Sequence, residues 1–114
     1  MKKRILDLRV TRKENVGAGC VLLWLSPVEG RLPEMRPGQF AQLRVDAPDV
    51  FLRRPISIHD VDAEGNAVAF LVQIVGKGTQ WLASLQVGDV LNAILPLGNG
   101  FALPDDMRDE GKVL

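Results

Sequence analysis

The chain has 114 residues, room for one hydrophobic core, and its 46% hydrophobic and 25% charged content excludes a disordered tail or a disulfide-stapled miniature. Fourteen Lys and Arg balance fourteen Asp and Glu, so no overall field draws in a polyanion and nucleic acid is a disfavoured partner. Charge interrupts each apolar run at the start (Ile5-Leu6-Asp7-Leu8-Arg9), so no signal peptide or membrane span can be drawn and a cytoplasmic protein without a membrane partner is expected.

In chain order, Ile5 to Thr11 alternates Leu6, Leu8 and Val10 with Asp7, Arg9 and Thr11, the period of a half-buried strand. Cys20 to Leu25 is a more continuous apolar run, ended by Ser26-Pro27, and reads as a strand covered on both faces, pairing with the first as a hairpin. The stretch from Gly30 to Gly38 is a loop, and Pro37-Gly38 predicts a tight turn into a third strand, Phe40 to Val45. Phe51 to His59 reads as the fourth strand, with Pro55 limiting its ladder bonds. Asp62 to Asn66 predicts a hairpin loop, and Ala67 to Val75 the fifth strand.

Gly76-Lys77-Gly78 then breaks the strand. Trp81, Leu82 and Leu85 have helical spacing, which predicts a two-turn helix capped by Thr79 and ended near Gly88. Val90 to Leu95 is the sixth strand, followed by the glycine-rich run Pro96-Leu97-Gly98-Asn99-Gly100. The pattern predicts an all-β fold: a six-stranded antiparallel Greek-key β-barrel with one short helix.

Two features carry chemistry. Arg53-Arg54-Pro55-Ile56-Ser57 puts two guanidinium groups on an otherwise apolar strand, and a guanidinium is a rigid fork of donors that fits a phosphate or carboxylate. Alone, such a pair also serves as solvated edge charges that deter aggregation. Gly76-Lys77-Gly78-Thr79 lets backbone approach a ligand at a helix start, although it is neither a Walker loop nor a complete GxGxxG. Alone it is a structural corner. Together the two features point to a bound diphosphate.

Leu52-Arg53-Arg54-Pro55-Ile56-Ser57-Ile58, then Leu71-Val72-Gln73, then Val75 to Leu82, then Pro96 to Phe101 resemble the flavin domain of the ferredoxin-reductase family. More narrowly, they resemble the electron-transfer subunit of the dihydroorotate dehydrogenases that pass electrons to NAD. The resemblance implies an FAD-binding module of pyrimidine biosynthesis, with Arg54 on the diphosphate and Ser57 near flavin N5. It further implies Pro55 and Ile56 at the cofactor, Leu71, Val72 and Gln73 lining the flavin by backbone contacts, and Gly78 and Thr79 at the diphosphate. Ile56 stands where the wider family has Tyr, and the chain has no Tyr at all. That departure separates it from plant-type reductases. A flavin needs an apolar slot, for which Ile56, Ile58 and Val72 are candidates, and Ser57 offers one donor to its electron-rich edge.

The resemblance also implies partners: an FMN-containing catalytic subunit, NAD held by a further domain, a [2Fe-2S] cluster, and hence a hetero-oligomer. With Cys20 as the single cysteine, the cluster's ligands must lie elsewhere. Residues 1–103 are accordingly expected to form the FAD-binding barrel and 104–114 a linker at the start of a nucleotide-binding domain, because Lys112-Val113-Leu114 opens an apolar run that stops short of a strand. This fragment alone is expected to hold cofactor rather than catalyse, with no catalytic or metal-ligating residues of its own. His59 reads as a plain strand histidine, Cys20 as a buried packing residue, Trp24 and Trp81 as core or interface, and Asp105, Asp106, Asp109 and Glu110 as a solvated linker. Two other readings stay open: the FAD domain of another NAD(P)H-linked oxidoreductase subunit, and a non-catalytic β-barrel binding module.

Overall fold

The computed structural model describes residues 3–47 and 53–98. Six strands and one helix follow in order: β1 (Arg4–Gly17), β2 (Cys20–Pro27), β3 (Phe40–Leu43), β4 (Arg54–Asp62), β5 (Ala67–Gln73), α1 (Lys77–Ala83) and β6 (Val90–Leu97). The strands close into a barrel in the order β1-β2-β5-β4-β3-β6, every neighbouring pair antiparallel. β3, β4 and β5 form a meander whose last strand returns to β2, and β6 fills the place between β3 and β1. That is the expected Greek-key barrel.

The alternation in β1 plays out as predicted: Leu8 and Val10 are fully buried while Asp7, Arg9 and Thr11 face out. β1 nevertheless runs to Gly17, beyond the predicted end at Thr11, because β2 pairs with its polar second half from Lys13↔Leu23 to Gly17↔Cys20. The hairpin turns on Ala18 (φ 51) and Gly19 (φ 73), positive at both central residues as a two-residue turn with the right twist requires. β4 likewise continues to Asp62 through its pairs with β5, while the predicted start at Phe51 and Leu52 lies outside the described residues.

Leu8, Val10, Leu23, Leu25, Leu43, Val68, Phe70, Val72, Leu82 and Leu95 are fully buried in one cluster. Each such side chain contributes roughly 1.5–3 kcal/mol by leaving water. Leu82 and Leu85 bring α1 and the turn after it onto the same cluster, so the helix packs on the core beside β5. A filled interior leaves only the outer wall and the ends for a ligand. Cys20 is half-buried at the hairpin corner, its Sγ 3.9 Å from the Ala18 carbonyl oxygen, rather than packed in the core as predicted. Residues 99–114, including Asn99-Gly100-Phe101, the acidic cluster and the expected linker, lie outside the described residues.

Candidate functional site

β4 and β5 part company along their length. Their registered pairs run from Asp62↔Ala67 to Ile58↔Phe70 and stop there. Beyond that point Arg54 to Ser57 pair with β3 alone, Ser57 opposite Phe40 and Arg54 opposite Leu43. Leu71, Val72 and Gln73 pair with β2 alone, opposite Leu22, Val21 and Cys20. The barrel wall therefore splits between two segments that sequence reasoning had singled out separately. The chain leaving β5 turns at Gly76 into α1 beside the split.

Pro55 suits this segment. The Ile58 N–H donates to the Gln39 carbonyl at 2.7 Å, so by alternation Ile56 and Arg54 also face β3 with their backbone groups, and Pro55 falls where no N–H is needed there. Pro55 and Ser57 are exposed on the outer face, Ile56 is half-buried against the core, and Ile58 is buried.

The two arginines go opposite ways. Arg53 is a structural strap: its Nη1 donates to the carbonyls of Gln42 (3.2 Å) and Asn92 (3.3 Å), and its Nη2 donates to Asn92 Oδ1 (2.5 Å). It is thus no solvated edge charge. Arg54 is half-buried on the phase of Ile56, and its stem crosses Gly78 in α1. A Cβ on Gly78 would stand 2.7 Å from Arg54 Nε, closer than real Cβ atoms come, and 3.1 Å from its Cγ, so a side chain at position 78 would push the arginine aside from this crossing. Among the described residues the Arg54 guanidinium has no hydrogen bond and no ion pair. A half-buried cation without a carboxylate is a ready seat for an anionic ligand.

Thr79 caps the helix from within its first turn rather than from the N-cap position. Gly76 is the N-cap and Thr79 stands three residues into the helix. Its Oγ1 accepts hydrogen bonds from the N–H groups of Val75 (2.8 Å) and Gly76 (3.0 Å) and lies 3.1 Å from the Gly76 carbonyl, to which its hydroxyl donates. The hydroxyl is thus consumed in shaping the turn. What remains for a ligand is backbone: the first-turn N–H groups at Gly78 and Thr79 have no carbonyl one turn back within the helix, and no acidic side chain occupies that turn.

Two candidates for an apolar flavin slot do not serve. Ile58 and Val72 are 2% and 0% exposed and point into the barrel, so neither side chain can touch a ligand on the wall. Ile56 keeps that possibility, and beside the split Leu71 and Gln73 face outward. His59 is exposed, at the register shift between Ile58 and Asp60. Gln39 escaped notice in the sequence: it is 1% exposed, its Oε1 accepts from the Arg36 N–H at 2.8 Å and its Nε2 donates to the Gly98 carbonyl at 3.0 Å. Its backbone bond to Ile58 joins the glycine-rich turn after β6 to the strand that carries Arg54. A glutamine after Pro-Gly reads as loop, so only its burial betrays the role.

A cavity of about 120 Å³ under Arg31, Leu32, Met35 and Asn66 and a wider groove beside Ile5, Val28 and Glu29 include none of these residues. Among the described residues no three His, Cys, Asp or Glu side chains gather as a metal site would require. No helix among them is long and apolar enough to cross a membrane.

No family model matches the chain. It is 37% identical over 117 residues to the electron transfer subunit of dihydroorotate dehydrogenase B (NAD(+)) of Shouchella clausii, an alignment that takes in 100% of this chain and 44% of that protein. The subunit of the same name from Streptococcus pneumoniae R6 is 37% identical over 112 residues, 97% of this chain and 42% of its own. That of Clostridium acetobutylicum is 48% identical over 80 residues, 70% of this chain and 30% of its own. The chain thus spans less than half the length of these relatives. Among solved structures, the NADH-dependent reduced ferredoxin-NADP oxidoreductase superposes with a TM-score of 0.68 at 26% identity, covering 82% of this chain and 33% of that one. Phthalate dioxygenase reductase gives 0.71 at 23% identity, with 87% and 31% covered, a likeness of fold.

Proposed function

We propose that this chain, a homologue of the electron transfer subunits of NAD-linked dihydroorotate dehydrogenase with the fold of a ferredoxin-reductase-like FAD-binding domain, holds FAD along the split between β4 and β5. The observation that carries the reading is Arg54: a half-buried guanidinium with no protein partner among the described residues, laid across a glycine that leaves it room. A dinucleotide's diphosphate needs such a clamp.

In this reading Arg54 and the first-turn N–H groups at Gly78 and Thr79 hold the diphosphate, and Thr79 keeps that turn in shape through its hydroxyl. Ile56 offers an apolar contact to the ring. Ser57 offers its exposed hydroxyl to the N5 edge, Pro55 stiffens the strand between Arg54 and Ile56, and the backbone of Leu71 and Gln73, on either side of the buried Val72, lines the opposite lip. Bound FAD would supply the redox chemistry, relaying electrons from an FMN-containing catalytic subunit that oxidises dihydroorotate to NAD in pyrimidine biosynthesis. Partner subunit, NAD and [2Fe-2S] cluster belong to the whole assembly of which this chain is one part. No residue of this chain is assigned a covalent or proton-transfer role.

Titrating the flavin-free protein with FAD and with riboflavin separates the diphosphate clamp from simple ring binding. The proposal expects quenching of FAD fluorescence and at least tenfold weaker riboflavin binding. Equal affinity for the two, or uptake of neither, contradicts it. A second reading, the FAD domain of another NAD(P)H-linked reductase, draws on the 26% identity with the reductase named above. Electron delivery to NAD from a dihydroorotate-oxidising partner, present or absent in a reconstituted complex, separates the two.

A further inference from the structure

The β4 segment that bears Arg54, Ile56 and Ser57 is paired along one edge only. It has β3 on one side, no registered partner on the other, and it begins a strand rather than lying within one. Strand ends with one neighbour open readily. Yet the Arg54 stem must stay within about 3 Å of a virtual Cβ on Gly78 for the crossing to persist.

The structure supplies an anchor next door. Arg53 reaches over β3 to β6, where Asn92 receives it twice, at its carbonyl (3.3 Å) and at Oδ1 (2.5 Å). Asn92 is itself held: its carbonyl also accepts from the Arg44 N–H at 2.9 Å, and its Nδ2 donates to Asp7 Oδ1 on β1 at 2.9 Å. Arg53, Asn92 and Asp7 therefore form one hydrogen-bonded chain from the residue that precedes β4, past β3, to β6 and β1. The only charged donor in it is Arg53, and its fork is rigid enough to fix the backbone from which Arg54 departs.

We infer that Arg53 and Asn92 are positioning residues, which hold the start of β4 so that Arg54 stays directed across Gly78. The inference rests on the proposed FAD site for its consequence, but not for its geometry.

The test uses the full chain and the variants Arg53→Ala, Arg53→Lys and Asn92→Ala, with Arg54→Ala as control. In the flavin-free protein, amide hydrogen exchange at Arg54 and Ile56 is expected to rise in Arg53→Ala and Asn92→Ala at least tenfold more than exchange at the core amide of Phe70, which follows global stability alone. Arg53→Lys, which keeps one donor to a carbonyl, is expected to restore part of the protection. In FAD titrations well below the melting point, the two alanine variants should bind roughly tenfold more weakly, with partial rescue by lysine. Exchange at Arg54 that rises only in step with Phe70, or unchanged FAD affinity while Arg54→Ala loses binding, overturns the positioning role and leaves the site intact. Exchange that responds as expected in a protein that takes up no FAD sinks the site instead.

Discussion

The side chains of Arg53 and Arg54, adjacent in the chain, go opposite ways: the Arg53 guanidinium is bonded to the carbonyls of Gln42 and Asn92, while the Arg54 side chain lies across Gly78, its guanidinium without a hydrogen bond among the described residues. The pair therefore separates stability from binding. Arg53→Ala leaves the two carbonyls and Asn92 Oδ1 without their charged donor and is expected to lower the unfolding free energy by roughly 1–3 kcal/mol. Arg54→Ala should change it by less than about 0.5 kcal/mol. Urea unfolding of the flavin-free proteins measures both, and equal losses would refute the division.

The turn into α1 depends on one hydroxyl. Thr79→Val keeps the shape of the side chain but leaves the Val75 and Gly76 N–H groups without their acceptor, for an expected loss of roughly 1–3 kcal/mol. Thr79→Ser should retain most of the stability. Thermal melts of the two variants check this, and a serine variant as unstable as the valine variant would show that the methyl, not the hydroxyl, carries the role.

The two lips of the split differ in what their side chains do. Val72 is fully buried and Leu71, its neighbour, is 39% exposed. Val72→Ala is expected to cost roughly 1.5–3 kcal/mol and Leu71→Ala less than about 1. The reverse order in denaturant melts would mean that the register of β5 is wrong by one residue.

Much of the barrel is legible in the residues. Alternation placed Leu8 and Val10 inside β1, turn residues separated all six strands, and the helical spacing of Leu82 and Leu85 marked the short helix and the turn after it. What eluded it was tertiary. The extension of β1 through Arg12 to Asn15 comes from pairing with β2, which local polarity argues against. Period two says that Arg53 and Arg54 face opposite ways, but only the presence of Asn92 on β6 decides which one is satisfied. Ile56 and Ile58 share a face and looked equivalent as flavin contacts, yet the split begins between them, so one stands near its mouth and the other in the core. The split itself is a failure of two strands to stay registered, which no single segment announces. Thr79 read as a cap because threonine prefers that place, whereas the extended Gly76 takes it and turns the threonine hydroxyl back on the turn.

Gly78 is expected to be irreplaceable for binding and dispensable for folding. Gly78→Ala puts a methyl 2.7 Å from Arg54 Nε and must push that side chain aside, while alanine favours the helix by up to about 1 kcal/mol. FAD affinity should fall about tenfold or more with little change in the melting point. Because both changes act through the same guanidinium, Gly78→Ala combined with Arg54→Ala should bind no more weakly than Arg54→Ala alone. Additive losses in that double-mutant cycle would mean that Gly78 acts by another route.

The most direct test of the account is the FAD affinity of Arg54→Ala beside the unaltered chain, by fluorescence titration at moderate salt. A charge-assisted clamp of roughly 1.5–3 kcal/mol corresponds to a ten- to hundredfold loss, and that loss is the predicted result, with the barrel still folded by circular dichroism. An affinity within twofold of the unaltered chain would contradict the assignment of the split and its arginine to the cofactor.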